Sequence, residues 1–447
     1  MFHVKLGGGT AERMFHVEQH ELSFDAAPQH IPPVCDNRAP LLQARRKRYP
    51  LISLARYSTL LSQPGLRSTI LISVLGRIPI GITGLGILML AQHSTGSFAD
   101  GGAVAGCYIA GLATVAPVFG RFIDRYGPRS TLLACAFMFP AALAGLVVVF
   151  ERAVPHWIAY ALAAIAGACF PPITVCMRTF FKQRLKDDAL LTTAYSLESV
   201  VIELIFILGP VLVAVFVAIA SPAAAVLFAA ACGCAGTLLF QRSRALLDWR
   251  VEAHGGSSIF GPLIEPGFAP LLAVIVCYAT AFGLVEIGTT AYAAETGSPA
   301  LAGLLLGIMS VGSAGGGLVY GSRSWRLPLA RQFSVTLVLM GLGIAPLMLL
   351  TPVWAFGLWC IAAGVVMAPA LIMQAMLVAK IARFSHATEA FTWSSTGLLA
   401  GVGLGLTAGG QLLEHARSPA VFAAAGAISI AAGALALQLV RTSSREA

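Results

Sequence analysis

The sequence predicts an all-α integral membrane protein of twelve spanning helices in two six-helix halves, and three observations carry that prediction. Of its 447 residues, 57% are apolar and only 11% are charged, less than half the roughly 25% charge of an ordinary soluble domain. From Ser68 to Val440, long apolar runs alternate with short polar breaks. A helix needs about 20 residues to cross a bilayer, so this stretch holds twelve crossings with about 11 residues left per loop. Third, the basic residues fall in alternate loops. Strands are excluded because the runs are too long and lack a period of two. The composition equally excludes a soluble enzyme, a disordered chain and a secreted disulfide scaffold.

The elements follow in order. Residues 1–67 read as a polar N-terminal tail, rich in His, Pro and charge, without the apolar core that a secretory signal places behind a basic start. This tail is expected to be disordered or to reflect a mis-assigned start. Met1-Phe2-His3-Val4 recurs as Met14-Phe15-His16-Val17, followed by Glu18-Gln19. One back-translation of Met14 to Gln19 contains the palindrome TGTTCCACGTGGAACA, which resembles a bacterial chromosome-partition site. N-terminal sequencing of the native protein that began at Met1 would refute the mis-assignment. Arg45, Arg46, Lys47 and Arg48 are placed beside the membrane, facing lipid head groups.

The first half, 68–240, holds spans at 68–92, 101–119, 130–150, 156–177, 191–218 and 221–240. A central loop follows at 241–268. The second half, 269–440, holds spans at 269–293, 299–320, 331–350, 353–379, 387–412 and 418–440, before a short tail at 441–447. Even-numbered spans are followed by Arg121/Arg125/Arg129, Arg178/Lys182/Arg184/Lys186, Arg242/Arg244/Arg250, Arg323/Arg326/Arg331, Lys380/Arg383 and Arg441/Arg445, while the opposite loops carry only Arg152 and Arg417. By the positive-inside rule both termini are cytoplasmic, which requires an even number of spans. The net charge of +9 therefore belongs to loops facing the cytoplasm and does not point to nucleic acid. The nine cysteines lie scattered through apolar segments and read as small buried hydrophobes; Cys232 and Cys234, the closest pair, fit no zinc or thioredoxin spacing.

The chain also repeats itself. A shift of 201 positions aligns Thr95-Gly96-Ser97 with Thr296-Gly297-Ser298, Gly102, Gly106, Gly111 and Gly120 with Gly303, Gly307, Gly312 and Gly321, and Arg125 with Arg326. Nearby offsets pair Gly167 with Gly364, Pro172 with Pro369, Ala194-Tyr195 with Ala390-Phe391, and Gly209 with Gly405. Two six-span halves in the same orientation form a parallel repeat about an axis normal to the membrane, one of the two repeat symmetries of secondary transporters.

The segment Gly120-Arg121-Phe-Ile-Asp124-Arg125-Tyr-Gly127-Pro128-Arg129, after span two, closely resembles the loop 2–3 signature G-x-x-x-D-R-x-G-R-R of the major facilitator superfamily, with Pro128 in place of the first terminal Arg. The counterpart around Gly321, Arg323 and Arg326 has no Asp. The resemblance covers 68–440. It implies that Asp124 and Arg125 latch the two halves on the cytoplasmic side in the outward-open state, with the start of span eleven near His386–Glu389 available to receive Asp124. Read on their own, Arg121, Arg125 and Arg129 could serve only to set topology.

Charge inside a membrane costs about 2.5–3.5 kcal/mol per residue on insertion scales, so each instance needs a reason. Arg77 in span one, Glu198 and Glu203 in span five, and Glu286 in the outer half of span seven are the four candidates for a proton and substrate path. The resemblance places all four on cavity-lining helices. Glu203 is the first proton-carrier candidate and Glu286 the second, with Arg77 able to pair with either. A fixed Arg–Glu tie between helices is the alternative. Glu198 is expected at the cytoplasmic interface, and Glu389 as a helix-start acid beside the dipole. Gly209-Pro210 in span five resembles the central pair of the antiporter motif of drug-exporting members. That motif's other glycines are missing, and Arg178 lies too near the end of span four to replace the exporters' arginine. Pro172 and Pro369 read as paired hinges or as tolerated kinks. Tyr195, Trp393, Tyr278, Phe282 and Tyr292 would line a cavity or simply pack.

The expected function is that of a bacterial inner-membrane secondary transporter working by alternating access. It would exchange protons for a small organic solute, a drug-like compound or a sugar, as a monomer without cofactor, metal or catalytic residues. A proton-symporting or uniporting importer is the alternative. A lipid-modifying membrane enzyme is more remote, since no HExxH or nucleophile–base cluster is present. A receptor would need a larger cytoplasmic domain than 241–268.

Overall fold

The computed structural model describes residues 54–152, 156–251, 261–298, 301–349 and 352–443. The tail before residue 54, with its basic cluster and repeated tetrapeptide, lies outside the described residues. Among the described residues, twelve helices are long and apolar enough to span a membrane: Leu66–Thr95, Asp100–Tyr126, Pro128–Glu151, Trp157–Arg184, Asp188–Ile219, Pro222–Phe240, Phe268–Glu295, Leu301–Gly321, Leu329–Leu349, Val353–Ile381, Phe384–His415 and Ser418–Leu437. No strand occurs among the described residues. These are spans one to twelve. The number is even, so the first and last begin and end on one side, called here the basic side after its loops.

Local chemistry sets the helix boundaries. The hydroxyls of Ser97 and Ser221 accept from the backbone N–H groups of Asp100 and Ala224, and the Asp187 carboxylate accepts from Ala189, supplying partners for donors the first turn of a helix leaves free. Gly127 ends span two with φ 83°, a conformation that favours glycine, and Pro128 opens span three at its first turn. Pro128 thus fits its position as a helix starter. Span four consists of two pieces, His156–Ala168 and Ile173–Arg184, separated at Pro171-Pro172. Span ten likewise consists of Val353–Gly364 and Met367–Ile381, with Pro369 in the first turn of the second piece. Span five runs unbroken through Pro210.

The residues matched by the internal repeat make matching contacts. A Cβ on Gly111 would stand 2.1 Å from the Ala164 carbonyl oxygen, and one on Gly167 would stand 1.8 Å from that of Tyr108, so spans two and four touch backbone to backbone. In the second half Gly312 meets the Ile361 carbonyl at 2.2 Å and Gly364 that of Met309 at 2.1 Å, the same relation between spans eight and ten. Gly209 lies against Gly81 of span one, and its counterpart Gly405 lies against Thr280 and Gly283 of span seven. Tyr195 and Phe391, repeat partners themselves, meet edge to face with centroids 6.2 Å apart. That contact joins the two halves.

Three boundaries differ from expectation, the first being the end of span two, which runs to Tyr126 where the apolar run had suggested 119. Leu54–Leu61 is a helix within the segment expected to be an unstructured tail. Its Tyr57 hydroxyl bonds both Ser196 of span five (2.8 Å) and the Leu318 carbonyl of span eight (3.1 Å). Span four continues to Arg184, where the apolar run alone had suggested an end at 177.

Candidate functional site

The halves meet through polar contacts near the basic side. Asp124, at the end of span two, is buried. Its two oxygens accept the backbone N–H groups of Thr388 (3.0 Å) and Glu389 (2.7 Å), in the first turn of the Ala387–His415 helix of span eleven. Carboxylate and helix N-terminus are electrostatic complements there. Arg121, one turn earlier, donates to the Glu389 carboxylate at 2.7 Å. Gly120 gives span eleven room, since a Cβ there would lie 2.3 Å from the Thr392 hydroxyl and 2.8 Å from the Glu389 Cα. Gly321, its repeat partner, similarly admits Ser196 of span five. Thr193 and Ser196 donate to the carbonyls of Gly321 and Gly317, and Thr396 to that of Ala113.

Several expectations need correction here. Arg125 is exposed and stacks over its own neighbour Tyr126, with 5.3 Å to the ring centroid; Arg121 is the arginine that reaches the other half. Glu389 is a helix-start acid, as its position implies, but it is also buried and ion-paired. Arg129 and Gly127 lie at the start of span three, with Arg129 exposed and its carbonyl accepting from Gln241.

The intramembrane charges sort into three groups. Glu198, expected at the cytoplasmic interface, is buried within the protein and paired to Arg178 at 3.0 Å. The longer span four makes this possible, because Arg178 lies more than a turn inside the helix end at Arg184. Arg77 joins this pair, having Ser73 as hydrogen-bond partner at 3.1 Å and Glu198 beside it in one small cavity. It pairs with neither Glu203 nor Glu286. Glu203 faces the other way on span five and accepts a 2.6 Å hydrogen bond from Ser313 of span eight, across the two halves. Glu286 is exposed, on a strip of span seven between Tyr278, which faces span ten, and Gly283, which faces span eleven. The four residues are therefore not one constellation.

A neutral network runs through the second half. Tyr278 of span seven donates to Gln374 of span ten, and Gln374 donates to Ser394 of span eleven at 2.6 Å. Tyr195, Tyr278, Phe282 and Tyr292 mainly pack. Tyr292 stacks on Phe356 at 3.8 Å, and Phe282 meets Tyr278 edge to face at 5.3 Å. Sequence reasoning missed Gln374, Ser313 and Ser196. The signal was available: each is a polar side chain inside an apolar span, and an uncharged one still needs a partner. Among the described residues no group of three or more His, Cys, Asp or Glu could hold a metal ion.

Residues 69–293, just over half of the chain, match the model of the Major Facilitator Superfamily. The chain belongs to that superfamily. Solved structures agree on the fold of this superfamily member. A bacterial homologue of the iron transporter ferroportin, in an outward-facing state, aligns with TM-score 0.70 and 14% identity over 84% of this chain and 99% of that one. The E. coli fucose:proton symporter FucP aligns with TM-score 0.64 and 10% identity over 84% and 99%. The proton:xylose symporter XylE aligns with TM-score 0.63 and 13% identity over 83% and 95%. Identities this low establish architecture and carry nothing about the solute. No curated protein matches the chain by sequence. As a superfamily member, the protein is a multi-pass secondary transporter and not an enzyme.

Proposed function

We propose that the protein moves a small organic solute across the bacterial inner membrane by alternating access, coupled to protons carried on Glu203. The observation that carries this reading is the Glu203–Ser313 hydrogen bond. It places a carboxyl group midway along span five, inside the apolar zone, at a contact between halves that alternating access must break and remake. A carboxyl group desolvated in one state and wetted in another binds a proton in the first and releases it in the second. Glu286 is the second carrier candidate.

The remaining assignments rest on the same frame. The positive-inside rule makes the basic side cytoplasmic and both termini with it. The contacts at Asp124, Arg121 and Gly120 then close the cytoplasmic side, which describes an outward-facing transporter, and these residues form its gate. Pro172 and Pro369, at matching breaks in spans four and ten, supply hinges. Gly209-Pro210 in span five supports export of a drug-like compound or sugar. Import by symport is the second reading, favoured by the two proton symporters among the structural relatives.

Reconstitution tests this directly. In proteoliposomes with an imposed pH gradient, solute flux should follow the gradient, and Glu203→Gln should remove the pH dependence while leaving gradient-free exchange measurable. Flux indifferent to the gradient in the native protein would refute proton coupling, and the sign of the driven flux separates export from import.

A further inference from the structure

Spans one, four and five enclose a group whose charges do not balance. Arg178 pairs with the one carboxylate of this group, Glu198, and Arg77 lines the same cavity as that carboxylate. Arg178 takes its Oε1 at 3.0 Å, while its Oε2 is buried without a partner. Arg77 is only 3% exposed. Its Nη2 contacts Ser73 and its Nε is buried with no partner. Apart from a cysteine thiol, Glu198 and Arg178 are the titratable groups that act on it. Glu203 and Asp124 are engaged elsewhere, Glu203 with Ser313 and Asp124 with the start of span eleven. Two guanidinium groups against one carboxylate leave one positive charge uncompensated.

An unpaired buried charge is strongly unfavourable, and most groups escape it by gaining or losing a proton. Arginine cannot, because its guanidinium stays protonated in proteins. What remains is a counter-ion. Arg77, Ser73 and Glu198 line a cavity of about 10 Å³, room for roughly one water-sized particle. Sharing Val201 with it is a wholly apolar groove of about 210 Å³, lined by Val74, Ile78, Leu204 and Leu208.

We propose that a singly charged anionic group binds at Arg77 in this cavity, beside the Arg178–Glu198 pair, restoring neutrality to the cluster. The group is a halide-sized free ion or the carboxylate of a solute. In the second case the apolar groove next to it holds the rest of the molecule. The inference does not depend on proton-coupled transport, because its readout is binding.

The test uses the purified full-length protein in detergent. Thermal unfolding is followed in potassium sulfate, whose divalent anion is too large for the cavity, while chloride, bromide, formate, benzoate or hexanoate replaces sulfate at constant ionic strength. A saturable rise in Tm is expected. Arg77→Gln should abolish it and Arg77→Lys retain it in weakened form. Glu198→Gln should tighten apparent binding by about tenfold or more, since it removes a repelling charge within a few ångströms. A merely structural cluster would lose stability in both neutral variants and show no such opposition in sign. A response confined to chloride, bromide and formate identifies a free ion, and one that grows with the apolar body of the carboxylate identifies a solute. Absence of a saturable shift in the native protein would overturn the proposal, as would a response surviving Arg77→Gln or weakening in Glu198→Gln.

Discussion

Gly167→Val is expected to abolish recovery of folded protein, and Gly364→Val to do the same from the other half. At Gly167 a Cβ would stand 1.8 Å from the backbone oxygen of Tyr108, and at Gly364 2.1 Å from that of Met309. Neither clash can be relieved by a rotamer change, because the obstacle is main chain. The helices must move apart by more than an ångström along a seam that Gly111 and Gly312 hold equally close from the opposite helix. Adding even one methylene to a packed core typically costs about 1–3 kcal/mol. Valine against a rigid backbone lies at or beyond the top of that range, a large part of the about 5–15 kcal/mol that holds a typical protein folded. The control lies in the same sequence repeat: a Cβ on Gly102 or Gly303 would meet nothing within 4 Å. Gly102→Val and Gly303→Val should therefore keep yield and melting temperature near native. Fluorescence-detected gel filtration and thermal melts of the four variants check the contrast. Native-like melting of Gly167→Val would show that the seam is looser than the structure has it.

That contrast also shows what the sequence could and could not reveal. Sliding the chain on itself aligned four glycines of span two with four of span eight, and the alignment was right about the fold. It could not say that Gly111 and Gly120 face other helices while Gly102 and Gly106 face open space, because that depends on each helix's rotation in the bundle. The same limit explains the gate. Asp124 and the start of span eleven were legible as partners, since a boundary carboxylate and a helix N-terminus on one side attract each other. Arg121 and Arg125 differ only by a turn, and nothing in the one-dimensional pattern tells which of them faces inward. Span four was cut short at 177 because hydropathy stops there. Its polar end is helical all the same, with Arg178 on Glu198 and Lys182 donating to the Ala382 carbonyl at 2.6 Å. Misplacing that end hid Arg178 from the interior and left Glu198 without its partner.

Asp124→Asn is expected to slow transport by about tenfold or more with membrane insertion intact. In the structure each carboxylate oxygen accepts one N–H from the first turn of span eleven, at 3.0 and 2.7 Å, in a buried site. Hydrogen bonds to a charged group contribute about 1.5–3 kcal/mol each. Asparagine keeps one acceptor oxygen but loses the second bond and the charge that the helix N-terminus favours. A loss of that size shifts the equilibrium by about 10- to 150-fold toward the state open on the basic side. A cycle that must visit both states is then held in one. Cysteine labelling reads the shift independently of transport: Thr392→Cys, at a position buried beneath Gly120, should react faster from the basic side in the Asp124→Asn background. Glu389→Gln, which removes the partner of Arg121, should act in the same direction, and the two changes should be less than additive because both loosen one helix start. Arg125→Ala should leave turnover nearly unchanged, since that side chain is exposed and rests on Tyr126. Native transport in Asp124→Asn would remove the latch, and a large loss in Arg125→Ala would mean that the arginines exchange roles when the halves rock.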